Sequence, residues 1–144
     1  MAWNDARNGN NDIYAQRLNA DGIGLWPSNG IPICTVLSDE RIYTKIKMIE
    51  GGGSIYAIIV WEDTRNGDKD IFAQLVDGSG NIVWSENGIP TSDGNNDQHS
   101  PIVISNIDEE FFIVWRDERE YWSAMSSVTS EDLHDVWGLS LIHI

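Results

Sequence analysis

The sequence predicts an all-β protein built from antiparallel four-stranded units, one unit per sequence repeat. Two observations carry that prediction. The first is a gapless internal repeat. Trp3 to Pro32 aligns with Trp61 to Pro90 at 15 of 30 positions. The shared residues are Trp3/Trp61, Asp5/Asp63, Arg7/Arg65, Asn8/Asn66, Gly9/Gly67, Asp12/Asp70, Ile13/Ile71, Ala15/Ala73, Gln16/Gln74, Gly22/Gly80, Trp26/Trp84, Asn29/Asn87, Gly30/Gly88, Ile31/Ile89 and Pro32/Pro90. A third copy opens at Val114-Trp115-Arg116-Asp117-Glu118-Arg119 and then breaks off. The second observation is a run of short, strand-patterned segments separated by Gly, Asn, Asp and Ser turns.

In chain order, residues 12–18 alternate in the strand sense, with a turn at 19–22 and a short return strand at 23–26. Residues 42–49 are rich in β-branched and apolar side chains, and Glu50-Gly51-Gly52-Gly53 breaks the strand as a hairpin loop. Residues 54–61 are almost continuously apolar, as in a strand buried on both faces. A loop at 62–69, a strand at 70–76, a turn at 77–80 and a fourth strand at 81–84 complete the meander. After a polar loop at 91–100 the pattern restarts, with a strand at 101–105, a turn at 106–108 and a buried strand at 110–115.

Four strands recurring at steps of 58 residues (Trp3 to Trp61) and 54 (Trp61 to Trp115) match the blade of a β-propeller. A β-sandwich is the alternative; it explains the alternation but not the repetition. The expected division is a partial blade at 1–35, a complete blade at 36–92, a partial blade at 93–119 and a non-repeating tail at 120–144. Residues 139–144 resemble the translation of the transposase mosaic-end adaptor of sequencing libraries, so the chain is expected to be a fragment with a partly artificial end. Fewer than three blades cannot close a ring of the usual four to eight. Exposed sheet faces are therefore expected.

The formal net charge of −14 and pI near 4.3 exclude a nucleic-acid partner, which needs clustered Lys and Arg. The apolar run at 57–61 is far too short to span a bilayer, so no membrane insertion is expected. Cys34 is the one cysteine, which excludes an intramolecular disulfide and suits a small buried apolar residue. No signal peptide is visible, which is attributed to truncation.

The loop W-x-D-x-R-N-G-x-x-D is the chemically richest stretch. A Trp ending a buried strand offers apolar area for packing against the next blade. Asp63 and Arg65, two apart on extended chain, share a side and suit a charge-assisted pair. Asn66-Gly67 is a tight-turn dipeptide, and Asp70 suits a carboxylate that accepts backbone N–H groups of the turn. The competing reading is cation binding. Asp63, Asn66, Asp68 and Asp70, with Asp5, Asn8 and Asp12 in the first copy, are oxygen ligands of the kind calcium takes. Their spacing departs from the D-x-[DN]-x-[DN]-G loop and an Arg lies among them. The scaffold reading is preferred, because a motif stated in every unit more often holds units together.

No catalytic residue is assigned. No nucleophile elbow or zinc-type cluster occurs. His99 is expected to be a solvated loop residue, and His134 and His143 lie in the tail. The plentiful carboxylates leave a glycosidase pair open, since its test is a spatial separation.

Trp61-Glu62-Asp63-Thr64-Arg65-Asn66-Gly67, followed by Asp70-Ile71-Phe72-Ala73-Gln74, Trp84 and Asn87-Gly88-Ile89-Pro90, resembles the W-x-D-x-R-x-G-x-x-D-I-Y-A-Q repeats of large secreted bacterial proteins, often cargo of the type IX secretion system. The resemblance covers residues 1 to 119 and implies an extracellular or cell-surface β-propeller. The expectation is a non-enzymatic module that scaffolds or binds glycan or protein, alongside further blades of the same parent chain. A propeller glycosidase or lyase is the alternative, and a calcium-stabilised repeat the weaker one. Binding is expected in the non-repeating loops, 38–41 and 91–100.

Overall fold

The computed structural model describes residues 1–37, 41–51, 53–92, 95–106, 110–118 and 137–142, with backbone only for 51 and 137–142. Among these residues every regular element is a β-strand. In chain order they are β1 (Ala2–Asp5), β2 (Asp12–Ala15), β3 (Ile31–Cys34), β4 (Arg41–Gly51), β5 (Ser54–Asp63), β6 (Asp70–Asp77), β7 (Ile89–Ser92), β8 (Gln98–Ser105), β9 (Phe111–Asp117) and β10 (Trp137–Ile142). They form three open antiparallel sheets: β1-β2-β3, β4-β5-β6-β7 and β10-β9-β8. The sequence repeat and the sheet repeat coincide. β1 and β2 pair as Trp3↔Tyr14 and Asp5↔Asp12, and β5 and β6 as Trp61↔Phe72 and Asp63↔Asp70.

The four-stranded sheet lies between the other two, and its side chains divide by the period of two. Ala57, Ile59 and Trp61 of β5, with Phe72 and Val76 of β6, pack on Ile13, Ala15, Ile31, Ile33 and Cys34 of the first sheet. Their neighbours Ile58, Val60, Ile71, Ala73 and Leu75 pack on Val103, Phe111, Ile113 and Trp115 of the third. This is why residues 57–61 are apolar without a break: both faces of that strand are inside. Trp61 packs on the sheet that precedes it in the chain, whereas the sequence had suggested the one that follows.

The fourth strand is not where alternation alone puts it. Residues 23–26 and 81–84 make only the isolated bridges Leu18↔Gly24 and Val76↔Ile82. The outer strands are β3 and β7, formed by the Ile-Pro of each repeat. The cause lies in Gln16 and Gln74. Gln74 donates Nε2 to Ser85 O (2.7 Å), and its Oε1 accepts from the backbone N–H groups of Leu75 (2.9 Å) and Trp84 (3.2 Å). Gln16 does the same with Pro27 O (2.8 Å), Arg17 N and Trp26 N (both 2.9 Å). The segment is thereby tied as a curled loop whose backbone is satisfied by a side chain. The chain then reverses through Asn87-Gly88, both at positive φ, to run Ile89 and Pro90 along β6. Pro90 lacks a ladder donor and suits this outermost strand of the sheet, as Pro32 suits β3.

β4 and β8 carry the same irregularity. Their registers slip between Ile42 and Lys45 and between His99 and Ile102. Tyr43 and Ser100 take positive φ there, at 55° and 54°, so one bulge recurs in two units of unrelated local sequence. The backbone of 137–142 lies along β9, with Gly138 opposite Trp115, in the place that β6 holds beside β5. Residues 38–40, Gly52, 93–94, 107–109, and 119–136, the last including Arg119 and His134, lie outside the described residues, as does His143.

Candidate functional site

The W-x-D-x-R-N-G-x-x-D loop closes the β5–β6 hairpin, and Asp63 is its centre. Asp63 Oδ2 accepts from Trp61 Nε1 (2.9 Å), Arg65 Nη2 (2.6 Å) and Arg41 Nε (3.0 Å), and Oδ1 accepts from Arg65 N (3.0 Å). Arg41, from the start of β4, has a fully buried side chain. It also donates to Asn11 O (3.0 Å) and to Val36 O, reaching back into the preceding sheet. Arg65 donates to Asn87 O (3.1 Å) and Cys34 Sγ (3.0 Å), and its guanidinium lies 3.9 Å above the Phe72 ring. Burial pushes the Asp63 carboxyl up, but the hydrogen bonds from Arg65 and Trp61 more than offset it and leave it below the usual carboxylate range. Burial raises the Cys34 thiol, so that side chain stays neutral beside Arg65.

The first copy repeats this arrangement in a more open setting. Asp5 accepts from Arg7 Nε (2.8 Å), Arg7 Nη2, Arg7 N (3.0 Å) and Trp3 Nε1 (2.9 Å). Arg7 donates to Asn29 O (3.2 Å) and stacks 4.1 Å over Tyr14. The Arg7 hydrogen bond, then that of Trp3, holds the Asp5 carboxyl well below its ordinary range. Asn8 and Asn66 donate Nδ2 to Asp12 and Asp70 Oδ2, each at 2.8 Å, and so tie the two ends of each turn.

Gly30 and Gly88 complete the motif. A Cβ there would sit 2.5 Å from Cη2 of Trp3 or Trp61 and 2.7 or 2.8 Å from the carbonyl oxygen of Ala15 or Ala73. The repeated Trp therefore demands the repeated Gly.

The seven candidate calcium ligands do not converge on one point. Asp63 faces two guanidinium groups, Asp70 pairs with Asn66, and Asp68 Oδ2 lies 3.4 Å from Asn96 N of the next unit. In the first copy Asp5 is held by Arg7, and Asp12 takes Asn8 and Asn10. Among the described residues no group of three or more His, Cys, Asp or Glu is arranged to hold a metal ion. The geometry gives the loop an internal bonding role.

His99 differs from expectation. It stands on β8 with its side chain 21% exposed, in a cluster of carboxylates. Nδ1 lies 3.7 Å from Glu62 Oε2, and Nε2 lies 3.8 Å from Asp97 Oδ2 and 3.4 Å from Glu118 Oε1. Glu62 is almost completely buried, and its Oε1 accepts from Ser100 N (2.5 Å). The position after the repeated Trp thus reaches across to the following sheet. Asn4 does so in the first unit, donating to Arg41 O (2.7 Å). Arg41, expected at the surface in the binding loop 38–41, is instead fully buried on Asp63, because its guanidinium finds a carboxylate inside the stack. Sequence reading missed the Gln16 and Gln74 clasps, whose signal was the fixed ten-residue spacing to Trp26 and Trp84.

No protein-family profile, curated protein or solved structure matches this chain. Among the described residues no helix is long and apolar enough to cross a membrane.

Proposed function

We propose that the chain is a non-enzymatic repeat module of a secreted or cell-surface bacterial β-propeller, which scaffolds or binds glycan or protein. The observation that supports this reading is the occupation of the repeated side chains. Trp61, Asp63, Arg65, Asn66, Gln74 and Gly88 each have a specific bond or close contact inside the unit, matched in the first copy by Trp3, Asp5, Arg7, Asn8, Gln16 and Gly30. What recurs holds a sheet to itself and to its neighbour. Recognition then falls to segments that do not recur, such as 91–100, where Asn95 and Asn96 are exposed. The stacking of three repeat-matched sheets agrees with propeller blades, whose faces are buried only by neighbours.

The test is a screen of immobilised glycans and extracellular proteins, followed by substitution. Binding should be lost in Asn95→Ala with Asn96→Gly and kept in Asn8→Ala, which removes the exposed amide that ties the motif turn to Asp12. Loss in the motif variant with retention in the loop variant would count against the reading. The reading frame of the parent gene offers an independent check: further copies of the motif and a secretion signal are expected there.

A further inference from the structure

We infer that His99 is a proton-operated latch, which as an imidazolium fastens the third sheet to the middle one and which loosens that contact on giving up its proton. The need for a positive charge comes from Glu62. Its side chain is 1% exposed, and its strand partners in register are Ile42 of β4 and Ile71 of β6. Oε1 accepts from Ser100 N (2.5 Å) at the bulge of β8, whereas Oε2 is buried without a hydrogen-bond partner. A buried carboxylate is costly unless a counter-charge stands near it. Among the described residues the one basic side chain within 4 Å of Glu62 is His99, whose Nδ1 lies 3.7 Å from that orphaned Oε2. The pair spans two sheets, with β5 on one side and β8 on the other.

The surroundings of the ring select its charged form. At its far end Nε2 faces Glu118 Oε1 (3.4 Å) and Asp97 Oδ2 (3.8 Å). A neutral imidazole has one N–H and one lone pair, so in either tautomer a lone pair is turned on a carboxylate. Only the imidazolium, a donor at both nitrogens, suits both ends. The side chain is 21% exposed, which gives the proton a way in and out.

The other charges around the ring do not replace it. Arg116, opposite His99 across β8 and β9, reaches Glu118 at 3.9 Å. Lys69, ahead of β6, gives its backbone N–H to Asp97 Oδ1 (3.0 Å) and leaves Oδ2 toward the ring. On β4 the flanking charges are Arg41, bonded to Asp63, and Lys45, which is exposed. On β6 Asp70 is held by Asn66.

An imidazole ordinarily takes its proton below about pH 6.5, and carboxylates ordinarily stay ionised down to about pH 4. The latch is closed between those limits and opens as pH rises through neutrality. It concerns the contact between two sheets, so it goes beyond the proposed module function and does not depend on what the loops bind.

The experiment is thermal unfolding of the full chain, His99→Gln, Glu62→Gln and the double variant, at constant ionic strength and at about pH 5.5 and about pH 8, either side of the ordinary imidazole range. His134 and His143 are common to all four proteins and cancel in the differences. His99→Gln should lower the melting temperature by roughly 2–4 °C more at the acid pH than at the alkaline one, the shift that one partly exposed ion pair gives a chain of this size. With Gln at 62 most of that extra loss should vanish, because the buried partner is gone. A loss equal at both pH values, or an extra acid loss undiminished in the Glu62→Gln background, would overturn the inference. A second measurement needs no variant. In the unaltered chain the Ser100 amide, bonded to the same carboxylate, should shift in step with the His99 ring during a pH titration followed by NMR. A Ser100 amide indifferent to the ring's protonation would equally overturn it.

Discussion

Removal of the Asp63 carboxylate separates a bonded centre from an ordinary surface acid. In Asp63→Ala the guanidinium of Arg41, which has no exposed side-chain area, loses its partner at 3.0 Å. Arg65 Nη2 loses one at 2.6 Å and Trp61 Nε1 one at 2.9 Å. Breaking a buried pair from one side costs about 3–5 kcal/mol, and since Arg41 Nη1 keeps the buried Asp12 Oδ1 at 3.8 Å as a weaker counter-charge, the low end of that range is expected. For a domain of this size the range is a melting-temperature drop of roughly 6–20 °C, measurable by thermal or urea unfolding followed by circular dichroism. Asp5→Ala removes the matching group from an exposed setting that lacks the Arg41 counterpart, and should cost clearly less. The pH dependence has a definite sign. The folded Asp63 carboxyl lies below its unfolded range, so its contribution is complete above about pH 4 and is lost as pH falls through the folded value. The gap between wild type and Asp63→Ala should therefore be constant from neutral pH to about pH 4 and narrow below it. A loss under about 1 kcal/mol, the level of exposed ion pairs, would refute the reasoning. So would a loss equal to that of Asp5→Ala.

Three further outcomes are expected. Gly88→Ala should lower the urea midpoint far more than Gly67→Ala: both are at positive φ, but only at Gly88 does the new Cβ meet the Trp61 ring and the Ala73 carbonyl. Equal losses would show that φ alone sets the cost, about 1–2 kcal/mol. Gln74→Leu keeps the approximate volume but strands Leu75 N, Trp84 N and Ser85 O, for a loss of about 1–3 kcal/mol per group left buried and unpaired; a neutral result in the same unfolding assay would remove the clasp from the account of the outer strand. Thermal melts in calcium and in chelator should coincide, because Asp63 and Asp5 are engaged by arginines; a stabilisation that saturates with calcium would restore Asp68, Asp70 and their counterparts as ligands.

Local chemistry made most of the motif legible. The Asp63–Arg65 pair follows from two residues of opposite charge on one side of an extended segment, and the Asn66-Gly67 turn from its tolerance of positive φ. The apolar run at 57–61 announced a strand covered twice. His99 was misjudged because a polar sequence neighbourhood says nothing about Glu62, 37 residues earlier, or Glu118, 19 residues later.

By itself, then, the sequence determined the repeat, the strand character of the segments at 12–15, 42–49, 54–61, 70–76, 101–105 and 111–115, and the Trp, Asp, Arg and Asn-Gly of the motif that hold a unit together. Those depend on spacing along the chain and on backbone propensity. Only the tertiary structure decided that the outer strand is the Ile-Pro segment and that Arg41 completes the Asp63 centre. It also decided that the same Trp-Asp-Arg face is buried in one unit and open in another. The reason is that these features depend on which sheet lies over which, and two copies of one local sequence cannot report that their surroundings differ.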